Sequence, residues 1–269
     1  MGKHLVLTGI IVSLVCCLLA ACSYSEKKKA RVESPGKQVT ELNDGWVFTG
    51  NSEGNKSLPG SPYGYEMWSQ TGDDTRLIWY GPDQRGGAAF RAEWNNAHIF
   101  LGRVGYFWNQ GRPYTHYGNV FCDFEFERSE NGTGGGTSYI GIYGWSRNPL
   151  IEWYIVEDWF GYGIIGPSRM GGGATKKGEF IVDGETYFIY EATRVNQPSI
   201  DGTSTFQQYF SVRQARRQNG TISITDHFRE WERIGMKLGT NMYEAKFLVE
   251  AGGGTGWIDT TYLSFYSPK

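Results

Sequence analysis

The sequence predicts an all-β fold, a twisted sandwich of strands with one helix packed on its back, and three observations carry that expectation. Glycine is frequent, at 38 of 269 residues, and aromatic residues reach 16%, a mix suited to many strands joined by tight turns rather than to a helical bundle. Several short runs alternate apolar and polar residues with a period of two. One stretch near the C-terminus keeps helical spacing instead.

Along the chain, the first residues stand apart from the fold. Lys3 and His4 begin a short charged start, and Leu5 to Leu19 is mostly apolar but short for a membrane span. The run ends in Leu19-Ala20-Ala21-Cys22, which resembles a bacterial lipoprotein box. That resemblance implies cleavage before Cys22 and a diacylglycerol on its thiol; the alternative is an ordinary secretory signal with a coincidental cysteine. Either way the mature chain is expected to be exported, anchored to the cell envelope or surface in the first case and secreted in the second. Ser23 to Gln38 is polar, charged and nearly without apolar residues, the composition of a flexible tether. The expected organisation is a signal peptide over 1–21, a lipidated terminus and tether over 22–44, and one globular domain over 45–269.

Within that domain Phe90 to Trp94 reads as a strand, and Val120 to Glu127 sets Phe124 and Phe126 against Asp123, Glu125 and Glu127. Glu179 to Val195 holds Asp183-Gly184 between two extended runs, a strong signal for a two-residue hairpin turn. Gly220 to Ile224 and Trp257 to Tyr266 continue the strand pattern. The helix is expected after Thr225 as cap, with Phe228, Trp231, Gly235 and Leu238 near helical spacing and Gly239 as its stop.

Composition narrows the function. A formal charge of −2 makes nucleic acid an unsuitable partner. The histidines beyond the leader, His98, His116 and His227, do not pair with Cys or His at ligand spacing, so neither a metal site nor a cofactor is read. With Cys16 and Cys17 in the leader and Cys22 at the lipid site, Cys122 is left as a small buried hydrophobe without a disulfide partner.

The run Tyr143 to Trp159, YGWSRNPLIEWYIVEDW, poses the central question. A lone carboxylate in an apolar strand is costly to bury, yet Glu152 stands in its middle. Alternation puts Glu152, Tyr154, Val156 and Asp158 on one face, and Ile151, Trp153, Ile155, Glu157 and Trp159 on the other. Upstream, Tyr139, Gly141, Tyr143, Trp145 and Arg147 share a face. Aromatic rings flanking an acid suit a sugar groove, where rings stack on pyranose faces and phenols orient the carboxylate. The plain alternative is a surface acid beside core aromatics. A second acid, Glu250, lies between an apolar strand and a glycine run. Glycosidic cleavage takes two such carboxyl groups, and each one's charge would raise the proton affinity of the other. Pattern alone leaves open whether Glu152 and Glu250 meet.

These stretches, with Arg194 to Gln214 and Asn219 to Gly239, resemble in order the blocks of family 11 glycoside hydrolases, the β-jelly-roll endo-1,4-β-xylanases. The likeness spans roughly Gly64 to Phe265, with its nearest flavour in "EWNNAHIFLGRVG" and "KFLVEAGGG". It implies a jelly roll of two twisted antiparallel sheets, one helix and a thumb hairpin, acting on xylan as a monomer without cofactor. It also implies Glu152 as nucleophile and Glu250 as acid/base of a retaining reaction, with carboxyl groups about 5–5.5 Å apart. Tyr143 would bond the nucleophile and Tyr154 lie against the reacting sugar. Gln208 would contact nucleophile and sugar, while Arg194 and the Pro198-Ser199 backbone hold the sugar from the thumb. Trp68 would be a stacking platform and Trp145 a groove wall; for each non-carboxylate, packing without substrate contact is the alternative. In the thumb, Pro198 fixes one φ and Asp201-Gly202 supplies a tight reversal.

One position departs from the family. Where members usually carry Asn or Asp beside the acid/base, the alignment puts Ile99, with His98 and Asn96 adjacent. Either a neighbour takes the polar role, or Glu250 is tuned by desolvation and Glu152 alone. That departure keeps a non-catalytic carbohydrate-binding jelly roll open as a second reading; a related β-jelly-roll glucanase is a third.

Overall fold

The computed structural model describes residues 40–42, 45–70, 73–108, 111–129, 138–160 and 174–268. The leader, Cys22 and most of the tether lie outside these described residues. In chain order the strands are β1 (Thr40–Leu42), β2 (Gly45–Thr49), β3 (Ser52–Ser57), β4 (Tyr63–Ser69), β5 (Asp73–Trp79), β6 (Phe90–Ala97), β7 (Phe100–Phe107) and β8 (Phe121–Arg128). They continue as β9 (Ser138–Arg147), β10 (Ile151–Asp158), β11 (Thr175–Val182), β12 (Glu185–Ser199), β13 (Gly202–Arg213), β14 (Asn219–Ser223), β15 (Asn241–Ala251) and β16 (Gly254–Tyr266). The single α-helix among the described residues, α1, covers Ile224–Arg233. Pairing begins with β1 against β2, so the sheet starts upstream of Gly45, inside the stretch read as tether.

Two sheets form the sandwich. One has seven strands in the order β1-β2-β5-β6-β16-β8-β14; the other has nine, β11-β12-β13-β10-β9-β15-β7-β4-β3. Neighbours are antiparallel, as expected, except β10 and β13, which run parallel. That pairing needs a long excursion between the strands, and the β11–β12 hairpin lies within it.

Period-two alternation explains why the two faces of the nine-stranded sheet differ. Phe100, Val104, Ile140, Ile142, Ile151, Trp153, Ile155, Ala245 and Phe247 face the seven-stranded sheet and join Leu77, Phe90, Trp94 and Phe124 in the main core. The opposite face carries a second cluster that includes Tyr139, Tyr143, Trp145, Tyr154, Tyr190, Phe206 and Phe210. Helix α1 packs on the core side, where Phe228 meets the Trp153 ring edge-on at 4.8 Å. Trp153 is fully buried, and burying an indole contributes about 5 kcal/mol. Gly144, its cross-strand partner, makes room: a Cβ there would lie 2.1 Å from the Trp153 ring and 2.2 Å from the Glu244 carbonyl.

The structure corrects three local expectations. Alternation in β10 breaks at a register shift between Val156 and Asp158. Asp158 therefore leaves the groove face and meets Arg128 of the opposite sheet at 2.6 Å, while Trp159 joins the groove-face cluster. Thr225 lies inside α1 rather than capping it, and its hydroxyl bonds the Gly118 carbonyl at 3.1 Å. The cap position is Ser223, whose hydroxyl and N–H donate to Asp183. The helix ends at Arg233, with Gly235 at φ 88°. Gly235 N–H bonds Glu232 O and Met236 N–H bonds Trp231 O, the paired closure of a Schellman motif, so the stop is Gly235 and not Gly239. The Asp183-Gly184 turn is as expected, with φ of 52° and 74°, the twin positive values of a type I′ hairpin.

Candidate active site

Strand register assembles the site on the outer face of the nine-stranded sheet. On β10 and β9, Glu152 lies opposite Trp145 and Tyr154 opposite Tyr143. On the other edge of β10, the parallel pairing sets Gln208 opposite Glu152. One strand beyond β9, β15 places Glu250 opposite Tyr139. Further along, β7 sets Leu101 opposite Glu250 and β4 sets Trp68 opposite Leu101. Along this face runs a groove of about 650 Å³ whose walls include Trp68, Trp145, Glu152, Pro198, Ser199 and Tyr243.

Glu152 is buried, 7% exposed, yet three side chains satisfy it. Tyr143 donates to Oε1 at 2.9 Å, Tyr154 donates to the same oxygen at 3.1 Å, and Gln208 Nε2 donates to Oε2. Behind Tyr143, Trp145 Nε1 donates to its hydroxyl oxygen, so the indole acts on Glu152 through the phenol. Burial raises the Glu152 proton affinity above the ordinary carboxylate level, and the three donors pull it back because each favours the charged form. Both phenols are pushed well above their usual range by burial and the nearby carboxylates. They therefore remain O–H donors at any working pH.

Glu250 has a different environment. It keeps some exposure. Its Oε2 lies 3.4 Å from the Tyr154 hydroxyl. Burial, followed by the charge of Glu152, raises its pKa to about 7, with Arg103, Tyr154 and Arg194 pulling the other way. The Tyr154 legs of 3.1 and 3.4 Å bound the gap between the two carboxylate oxygens at about 6.5 Å. That hydroxyl has one proton for two acceptors. It can serve both carboxyl groups only when one of them carries a proton of its own. With one acid protonated and the other ionised the hydroxyl can serve both, and the three donors favour the charged form of Glu152.

The thumb is the β12–β13 hairpin. Pro198 pairs with Thr203 and Ser199 with Gly202, and Ile200-Asp201 make the turn. Gly202 takes φ 79°. The Ser199 hydroxyl is spent inside the turn, donating to Gly202 O at 2.6 Å and accepting from Asp201 N at 3.1 Å. The tip is also tied to the sheet: Arg147 Nε donates to Asp201 Oδ1 at 2.7 Å, and the Arg147 guanidinium lies 4.3 Å over the Tyr243 ring. Arg194, lower on β12, reaches Gln197 at 3.4 Å and contributes positive charge to both glutamates.

The register thus brings together Glu152, Glu250, Tyr143, Tyr154, Trp145 and Gln208, with Trp68, Pro198 and Ser199 on the groove walls. Sequence reasoning missed a charged layer beside them. Glu244 and Lys246 are fully buried, and Lys246 Nζ donates to Glu244 Oε2 at 2.6 Å. Arg103 pairs with Glu244 at 3.2 Å and with Glu66. Glu244, Lys246, Leu248 and Glu250 follow at intervals of two in "YEAKFLVEA", so the alternation that marked Glu152 already put them on one face.

A family model described as "Glycosyl hydrolases family 11" matches residues 61–261. Endo-1,4-beta-xylanase C of Fibrobacter succinogenes (strain ATCC 19169 / S85) is 46% identical over 216 residues, covering 79% of this chain and 33% of its own. Endo-1,4-beta-xylanase S20 of Neocallimastix patriciarum is 42% identical over 239 residues, covering 88% of this chain and 67% of its own. The chain therefore spans a third of the first relative's length and two thirds of the second's. Among solved structures, wild-type ENZbleach xylanase superposes with a TM-score of 0.81 at 55% identity, over 86% of this chain and 90% of that one.

Proposed function

The chain belongs to glycosyl hydrolases family 11, and from that footing we propose that it is a retaining endo-1,4-β-xylanase acting on internal bonds of xylan. The observation that supports this reading best is the single Tyr154 hydroxyl reaching two glutamates whose oxygens lie within about 6.5 Å of each other. Retaining enzymes work with carboxyl groups about 5–5.5 Å apart, whereas inverting ones need room for a water between them.

In the first step a Glu152 oxygen attacks the anomeric carbon, and Glu250 gives its proton to the departing glycosidic oxygen. A covalent glycosyl-enzyme results. In the second step Glu250, now ionised, takes a proton from water, the water oxygen attacks the same carbon, and Glu152 leaves as carboxylate. A pKa of about 7 for Glu250 suits a group that must first give and then take a proton. Tyr143, Tyr154 and Gln208 hold the nucleophile in one orientation, and Gln208 Oε1, which has no hydrogen-bond partner among the described residues, is left for a sugar hydroxyl. Trp68 serves as the stacking platform, Trp145 as groove wall, and Arg194 with the Pro198-Ser199 backbone as the thumb's hold on the sugar. Xylose lacks the hydroxymethyl arm of glucose, so a narrow aromatic groove discriminates against cellulose by steric exclusion.

The reading extends to the ends of the chain. Residues 1–21 act as a signal peptide, Cys22 receives the lipid, and the following segment tethers a monomeric catalytic domain at the cell envelope or surface. Labelling with a radioactive fatty acid, lost in Cys22→Ser, tests the anchor. Reducing-sugar release from xylan by wild type, Glu152→Gln and Glu250→Gln tests the chemistry. Wild type is expected to release sugar and both variants to lose it by several orders of magnitude; near-normal activity in either variant would sink the mechanism.

A further inference from the structure

The alignment puts Ile99 where the resemblance leads one to expect a polar neighbour of the acid/base. The chain puts a cation nearby instead. Arg103 projects from β7, directly opposite Leu248 of β15. Its diagonal neighbours on that strand are Glu250 and Lys246, at the roughly 7–8 Å typical of such positions, within reach of long side chains. The guanidinium carbon lies 4.2 Å from the Tyr143 ring centre, and Tyr143 is itself a donor to Glu152. Arg103 therefore borders both acids, one across the strand and the other through a phenol.

Its own surroundings hold it in place. Nη2 bonds Glu66 on β4 and lies 3.2 Å from Glu244 on β15. The side chain is only 4% exposed. Nε and Nη1 are buried without a hydrogen-bond partner among the described residues. Leaving two guanidinium donors unmet in the interior is costly. The same guanidinium compensates Glu66 and Glu244, so a hydrophobe in its place would leave a buried carboxylate unpaired, and the positive charge is required where it stands. Lys246 balances the second carboxylate of the cluster, that of Glu244, and the four residues Glu66, Arg103, Glu244 and Lys246 sum to zero. The cluster is neutral as a whole but polar in direction, with its positive guanidinium on the side of Tyr143.

Taking Glu152 and Glu250 as nucleophile and acid/base, we infer that Arg103 is a positioning residue for the pair. Clamped by Glu66 and Glu244 under the Tyr143 ring, it fixes the phenol against Glu152 and supplies the charge that takes the place of the expected polar neighbour of Glu250. The groups facing Glu250 include Glu152 and Tyr154 from β10, Tyr139 directly opposite on β9, Arg103 from β7 and Arg194 from β12. Of the two cations, Arg103 stands ahead of Arg194 in opposing the upward push of Glu152. Arg103 itself stays charged, because Glu244 and Glu66 outweigh its burial.

The test uses paired variants with opposite expected signs. Arg103→Gln removes a positive charge, which favours the protonated acid, so the Glu250 titration midpoint moves up. Glu66→Gln removes a negative charge from the clamp, so the midpoint moves down. The expected shifts are about half a pH unit or more for Arg103→Gln and a smaller one for Glu66→Gln, while Arg103→Lys restores most of the wild-type value. The midpoint is read by carbon-13 NMR of glutamate-labelled full-length protein, and independently from the alkaline limb of kcat/KM on xylo-oligosaccharides. An unmoved midpoint in Arg103→Gln, or shifts of the same sign in both Gln variants, overturns the inference. Should Arg103→Gln not fold, an unmoved or raised midpoint in Glu66→Gln overturns it just as well. A wild type that titrates as described but releases no sugar would defeat the enzymatic reading, and the NMR shifts would still decide the role of Arg103.

Discussion

Replacing Glu152 by Gln keeps the side chain's size and removes one negative charge from beside Glu250. The Tyr154 contacts of 3.1 and 3.4 Å keep the two carboxylates within about 6.5 Å. Two unit charges about 6 Å apart repel by about 3 kcal/mol at an effective dielectric of 20, and by about 0.7 kcal/mol in bulk water. Those limits correspond to roughly 0.5 to 2 pH units. In the wild type Glu250 sits at about 7, raised from 4.5 first by burial and second by Glu152. Glu152→Gln leaves the burial intact. The Glu250 midpoint is therefore expected to fall by about 0.5 to 2 units and to stop above its ordinary value. Carbon-13 NMR of labelled glutamates reads this directly and does not need an active enzyme. A midpoint that stays at the wild-type position would refute the proximity of the two acids. A fall all the way to the ordinary value would refute burial as the leading cause.

Further outcomes follow from the same structure. In the wild type, hydrolysis is expected to decline above about pH 7 as Glu250 loses its proton, and at acid pH as Glu152 gains one; a pH profile of kcat/KM checks both limbs. Asp201→Asn weakens the Arg147 tie at the thumb tip, so hydrogen exchange at residues 198–203 should quicken while that in β10 stays the same. His227 is fully buried, and its pKa is lowered by burial from 6.5 to about 3. The unfolded chain therefore binds the proton more readily, and its stabilisation is complete above pH 6.5 and declines as pH falls towards 3. The slope is about 1.4 kcal/mol per pH unit, so His227→Phe should lose about 2.5 kcal/mol less than wild type between pH 7 and 4.5 in urea unfolding. Equal losses would refute this. Gly144→Ala drives a methyl into the Trp153 ring and the Glu244 carbonyl, and is expected to lower unfolding stability by about 3 kcal/mol or more.

Much of the fold and site could be read before any coordinates. Alternation put Glu152, Tyr154, Tyr143 and Trp145 on shared faces, and it put Trp153 on the face opposite Glu152. The turn at Asp183-Gly184 followed from two residues that tolerate positive φ. The same rule applied to β15 would have exposed Glu244 and Lys246 as partners on the face of Glu250. These features are local, since side-chain direction in a strand depends only on position along it.

What the tertiary structure decided is everything that depends on which strands lie side by side. The parallel match of β10 with β13 sets Gln208 against Glu152 across 56 residues of chain, and no periodicity in either segment specifies a partner at that distance. The bulge after Val156 sends Asp158 to Arg128 and turns Trp159 to the groove; a single extra residue reverses the faces that alternation assigns. Arg103 reaches the acid pair because β7 borders β15, although more than a hundred residues separate them in sequence. Glu152 was legible as an acid among aromatics. Its partner's proton affinity was not, because burial and charge act through space and belong to the assembled sheet.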